Sequence, residues 1–167
     1  MGAGKSTVGP IVARALGWDF VDLDDEIARR EGRPPADIIR ERGIAKFRRA
    51  ESRAARDALG RAGVVVAAGG GWAAQPGHMD SLDRRGVSVW LRVTPKTALA
   101  RIEGSATPRP LLEGSDPRAA AEGLLRGRTA HYRRSDITIE TEGRSPGEVA
   151  RAILEHPLLV QANREER

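Results

Sequence analysis

Met1-Gly2-Ala3-Gly4-Lys5-Ser6-Thr7 opens the chain and decides how the rest is read. Gly4-Lys5-Ser6-Thr7 is the second half of the phosphate-binding loop G-x-x-x-x-G-K-[ST]. Glycines in such a loop let backbone N–H groups turn inward around phosphate oxygens, where a Cβ would block the approach. Lys5 suits β/γ-phosphate charge, and the Ser6 hydroxyl suits Mg²⁺. The loop then opens a helix, whose N-terminus favours anions. Val8, Ile11, Val12, Ala15 and Leu16 fall on one apolar helical face, and Gly17 is a stop. Two features depart from the motif. Its first glycine would lie ahead of Met1, as would the hydrophobic strand that normally feeds the loop. Pro10 sits where the helix wants a bond to the Ser6 carbonyl, at a cost of up to about 3 kcal/mol.

Outward from this loop, strands alternate with helices, which predicts a parallel sheet in an α/β domain. Predicted strands are Phe20–Asp24, Val64–Ala68, Val87–Val93 and Asp136–Glu140. Predicted helices are Asp25–Glu31, Ala36–Arg42, Ile44–Leu59, Pro76–Arg85, one starting at Thr94-Pro95, Ala119–Tyr132, and one from Ser145-Pro146 to about Glu155. Gly104–Pro117 is rich in Gly, Ser, Pro and Thr and reads as a mobile lid. Residues 161–167 read as a polar tail after a single domain over 1–160.

Composition narrows the function. At 167 residues, with 40% apolar and 31% charged residues, the chain is large enough for a core. It has no cysteine, so a disulfide framework and a thiol nucleophile are excluded. The three histidines are scattered and do not suggest zinc. No apolar run reaches membrane-spanning length, and no signal peptide is seen, so the expectation is a cytoplasmic protein without a membrane partner. A net charge of +5 suits an anionic small substrate or nucleic acid, but aromatics are only 4%, so stacking on single strands is poorly supported.

Several constellations carry chemistry. In a strand, Asp22 and Asp24 would share a face and point toward the phosphate loop, one holding Mg²⁺ through water and the other orienting a substrate hydroxyl. Helix capping is the commoner use of Asp at such a position. Arg48 and Glu51 lie at i, i+3 on one helix face, which fits an exposed ion pair as well as an arginine aimed at a carboxylate and held by Glu51. Gly69-Gly70-Gly71 follows a buried strand, a costly run that makes sense where backbone must approach a ligand closely. Arg109 stands between prolines on the lid, which suits closure over phosphates. Arg128 precedes His131-Tyr132 in a basic helix.

Together, GAGKST, DLDDEI, FRRAES, the glycine triplet after a Val-rich strand, RPLL and R-x-x-x-Y resemble the shikimate kinase family of P-loop proteins, in the family's order. The resemblance implies a three-layer α/β/α fold with a parallel sheet in the order 2-3-1-4-5. It implies ATP and Mg²⁺ as cofactors, shikimate as substrate, no nucleic acid partner and a monomer. Gly2, Ala3, Gly4, Lys5, Ser6 and Thr7 would bind the ATP phosphates, with Arg101 and Arg144 near the adenine. Ser6 would ligate the metal directly and Asp22 through water. Asp24 would bind shikimate hydroxyls and help activate the attacking one. Arg48 and Arg128 would grip the carboxylate beside Gly69, Gly70 and Gly71, with Glu51 supporting Arg48. Lys5, Asp24 and Arg109 would be catalytic.

The family's first, central strand is absent, so the expectation is that the native protein starts upstream and that the chain as it stands folds poorly. Rival readings are an inactive remnant of the family, another small-metabolite kinase such as gluconate kinase, and a basic nucleic-acid binder.

Overall fold

The computed structural model describes residues 2–82, 86–103, 110–112 and 115–165. Gly4, with φ of 91°, turns the chain into helix α1 (Lys5–Leu16). α1 runs through Pro10, and burial of Val8, Val12 and Ala13 on its inner face offsets the lost bond. Gly17 ends it in the left-handed conformation. Strand β1 (Asp19–Asp22) follows, then helices α2 (Leu23–Glu31), α3 (Pro35–Arg42) and α4 (Ile44–Leu59). Strand β2 (Val64–Ala67) pairs with β1 in parallel, Asp19 opposite Val64 and Asp22 opposite Ala67. Strand β3 (Val89–Arg92) leads into helix α5 (Pro95–Glu103), and helix α6 (Pro117–Tyr132) into strand β4 (Ile137–Glu140). β4 pairs with β3 in parallel, Val89 opposite Ile137. Helices α7 (Pro146–Leu154) and α8 (Pro157–Glu165) close the chain, α7 opening on a capping box of Ser145 and Glu148.

The apolar residues gather in two clusters. One joins Leu23, Ile27, Ile38, Phe47 and the alanines of α4 to Trp72 and Met79, with Val66 packed against it. The other joins Val8 and Val12 of α1 to Ile137, Ile139, Val149 and Ile153, with Val65, Val89 and Leu91 packed against it. Val65 and Val66 point to opposite faces of the strand, so β2 separates the two. Among the described residues no ladder joins the β1–β2 pair to the β3–β4 pair. A cavity of about 440 Å³ lies between them, lined by Val64, Val66, Val89 and Leu91 and reaching Lys5 and Arg128. No described helix is long and apolar enough to cross a membrane.

Four expectations change. The strand predicted to Asp24 ends at Asp22, whose side chain caps α2 by accepting the Asp24 N–H at 3.0 Å, so Leu23 and Asp24 are helical. The helix predicted over Pro76–Arg85 is a run of turns with one 3₁₀ turn, Asp80–Leu82, and 83–85 lie outside the described residues. Pro76 beside Gly77, at φ 76°, breaks the helical pattern there. The predicted tail from Gln161 belongs largely to α8, which buries Leu159 in the second cluster. In the predicted lid, Pro110–Leu112 is a 3₁₀ turn and Pro117 already begins α6, while 104–109 and 113–114 lie outside the described residues.

Candidate active site

The Ser6 hydroxyl donates to Asp22 Oδ2 at 2.5 Å, while Asp22 Oδ1 holds the first turn of α2. One carboxylate thus joins the phosphate loop to the next helix. The two acids are adjacent because α2 starts between them, not because they share a strand face. An ideal Cβ on Gly69 would lie 3.8 Å from Asp24 Oδ1, so Asp24 faces the glycine triplet.

Arg48 donates to Glu51 Oε2 at 2.5 Å. This is no surface pair: Glu51 is fully buried and the Arg48 side chain is only 15% exposed. Phe47, Ala50 and Ala54 bury the same face of α4, which draws the pair inward. Burial pushes the Glu51 carboxyl above its ordinary range; Arg48 opposes the shift, Asp24 adds to it and Arg128 opposes it. Arg48, Asp24 and Arg128 are therefore all near enough to act on one buried carboxylate. Glu51 Oε1 has no hydrogen-bond partner among the described residues. A Cβ at Gly69 would overlap that oxygen, and one at Gly71 would overlap the Arg48 guanidinium. Gly69 and Gly71 have no side chains because the pair occupies their place.

Arg128 lies one turn before Tyr132 on α6. The Tyr132 hydroxyl donates to the Gly70 carbonyl, and its ring stands 5.6 Å from that of Trp90. Burial raises the phenol, and Arg128, hydrogen-bonded to it, opposes the shift. Tyr132 thus holds the middle of the triplet.

On the nucleotide side, Arg101 does not stand clear for a base. Its guanidinium donates to Thr141 Oγ1 at 3.0 Å, to the Thr141 carbonyl at 2.8 Å and to the Gly2 carbonyl at 3.3 Å. It ties the start of the phosphate loop to the end of β4. Arg144 is exposed in the turn before α7. Arg109 lies outside the described residues. The structure thus gathers Ser6, Asp22, Asp24, Arg48, Glu51, the triplet and Arg128, while Lys5, Gly69, Gly70 and Arg128 line one cavity. Sequence reasoning gave no role to Thr141, Tyr132, Trp72, Ser52 or His78. Only Tyr132 carried a signal, its spacing from Arg128.

A glycine loop opening a helix, an acid bonded to the loop serine, and paired arginines around a bare glycine strand-end define a P-loop kinase for a small anionic substrate. The shikimate kinase family model matches residues 1–157. The shikimate kinase of Persephonella marina is 40% identical over 154 residues, 92% of each chain. That of Moorella thermoacetica is 43% identical over 156 residues, 93% of this chain and 88% of its own. The structure of shikimate kinase from Acinetobacter baumannii in complex with shikimate superposes with a TM-score of 0.89 at 34% identity, covering 98% of this chain and 89% of that one. The chain belongs to the shikimate kinase family, whose members are phosphotransferases.

Proposed function

We propose that this chain transfers the γ-phosphoryl group of ATP to the 3-hydroxyl of shikimate, giving shikimate 3-phosphate and ADP. The observation that carries this reading is Arg48, locked on buried Glu51 against the glycine triplet. A forked guanidinium in a fixed position suits a carboxylate. Arg128 supplies the second cation from α6. Asp24 orients the 3-hydroxyl and accepts its proton as the oxygen attacks phosphorus in line with the departing ADP oxygen. Gly2 to Thr7 cradle the phosphates, Lys5 neutralises charge on the transferring group, and Arg109 does so from the lid. Arg101, expected near the adenine, fixes the start of the loop, and Arg144 would contact the base.

The donor set also fits Mg²⁺: a serine hydroxyl and one carboxylate 2.5 Å apart are hard oxygen ligands, few enough to leave room for water and phosphate oxygens. Ser6 would hold the ion directly and Asp22 through water. When bound, the ion screens phosphate charge. We read the strand pairs as the outer halves of one parallel sheet in the order 2-3-1-4-5, and the protein as a cytoplasmic monomer.

The gap between β2 and β3 favours a second reading, in which the chain as it stands carries the site without turning over. An ADP-release assay with shikimate, gluconate or no acceptor tests both. Release with shikimate alone supports the first reading. ATP binding without release under any condition supports the second. Asp24→Asn should lose turnover by at least ~100-fold while keeping nucleotide affinity. Turnover near wild type would return Asp24 to a structural part.

A further inference from the structure

The segment after the triplet runs in turns, and three hydrogen bonds chain it together. Trp72 N–H donates to the Gly69 carbonyl at 2.9 Å, Gln75 Nε2 to the Gly71 carbonyl at 3.2 Å, and Gln75 N–H to the Trp72 carbonyl at 3.0 Å. A shift of Trp72 is therefore passed to Gly71, whose backbone forms the wall against the Arg48 guanidinium. His78 joins this segment to α4. Its Nδ1 lies 3.0 Å from the Trp72 carbonyl and its Nε2 3.1 Å from Ser52 Oγ. Its ring lies against the indole of Trp72, centroids 4.8 Å apart. Ser52 in turn donates to the Arg48 carbonyl at 2.8 Å. A carbonyl can only accept, so Nδ1 carries a proton toward Trp72; with the Ser52 proton on the Arg48 carbonyl, the contact with Ser52 is a bond only where Nε2 also carries a proton and donates to Ser52 Oγ.

We propose that His78 is a positioning residue for the acid substrate, a bridge that sets the spacing between the glycine wall and Arg48. It touches no reacting atom. The bridge spans two elements: Trp72 carbonyl, imidazole, Ser52 hydroxyl, then the carbonyl of Arg48 itself. A ring of the right shape without nitrogens keeps the packing on Trp72 and loses both bonds. The wall then drifts from Arg48, and the guanidinium loses the fixed direction that lets it grip a carboxylate. The effect falls on the acid and not on the nucleotide, whose loop lies on α1. This inference rests on the reading that Arg48 binds the substrate carboxylate.

The test is steady-state kinetics of the full chain with both substrates varied, for His78→Phe, Ser52→Ala, the double variant, His78→Gln and Arg48→Ala. His78→Phe and Ser52→Ala should each raise KM for shikimate about five-fold, the scale of one hydrogen bond. In both, kcat and KM for ATP should stay within about two-fold of wild type on that account. The double variant should be no worse than the worse single one, because both cut the same bridge. His78→Gln, whose amide reaches the serine, should recover most of the affinity. Ser52→Ala removes one atom and keeps the test alive if His78→Phe unfolds. Additive losses in the double variant, or equal rises in both KM values, would overturn the proposal. If Arg48→Ala leaves shikimate KM unchanged, the carboxylate reading falls and the bridge with it. If Arg48→Ala raises it while the His78 and Ser52 variants do not, only the bridge falls.

Discussion

Gly71 has no side chain because the Arg48 guanidinium stands where its Cβ would go. The overlap is with the far end of a side chain, so Gly71→Ala need not break the fold, but it must turn Arg48 away from its direction. We expect Gly71→Ala to weaken shikimate binding by at least ~10-fold and to lower the melting temperature as well, because turning Arg48 off buried Glu51 leaves that carboxylate poorly paired. Calorimetry paired with a thermal scan checks this, and a loss of stability without loss of affinity would contradict it. Arg48→Ala and Arg128→Ala should each cost roughly 1.5–3 kcal/mol of shikimate affinity, the scale of a bond to a charged group. ATP affinity is the control; equal losses for both ligands would assign the arginines to the fold. At this scale the proximity of Arg48, Glu51, the glycine triplet and Arg128 was legible. The burial of the Arg48–Glu51 pair was not, because i, i+3 spacing serves a surface and an interior equally well. Asp22 and Asp24 do not share a strand face: the spacing that reads as one is a cap followed by a helical turn. His78 and Ser52 were out of reach, being 26 residues apart with no pattern between them.

Helix α2 shows how an element adds its own electrostatics. Asp22 caps it, and Glu26 in its first turn accepts from Arg29 at 2.8 and 3.0 Å and from Arg30 at 2.5 Å. The bonds to Arg29 and then Arg30 hold the Glu26 carboxyl well down, at about 2. A carboxyl depressed on folding stabilises the protein above its unfolded value, near 4.5, and gives that up as pH falls toward 2. Solvent screens these partly exposed groups, so the contribution is about 1 kcal/mol. Glu26→Gln should therefore be less stable than wild type at pH 6. Urea midpoints at pH 6, 4 and 3 should show the gap closing as the acid limb is descended; a constant gap would mean the loss is packing. Most elements were legible from their caps and periods: Gly17, Gly32 and Gly43 end helices as read, and Ser145-Pro146 starts one. The helix read over Pro76–Arg85 was not, because Gly77 at φ 76° breaks it and leaves, over the described residues, turns with one 3₁₀ turn, Asp80–Leu82.

At the scale of the molecule, two strand pairs face each other across a cavity of about 440 Å³, and among the described residues no ladder joins them. Buried N–H and C=O groups without partners cost about 1–3 kcal/mol each, against a typical total stability of 5–15 kcal/mol. An apolar strand of about five residues fused ahead of Met1 should enter the gap between the two pairs. We expect the fusion to raise the melting temperature by roughly 10 °C or more and to increase kinase activity. Unchanged melting and turnover would show that the gap costs nothing. The parallel α/β arrangement was legible from alternation alone, but the sequence could not say that the described strands lie in two separate pairs. The two apolar clusters on either side of β2 have a further consequence. On the proposed function, the acid site hangs from α4 in one and the phosphate loop from α1 in the other. A ligand that binds the folded chain stabilises it, so the acid should slow amide exchange most in α4 and the nucleotide most in α1. The chain's resistance to proteases would then report which of the two ligands is in supply.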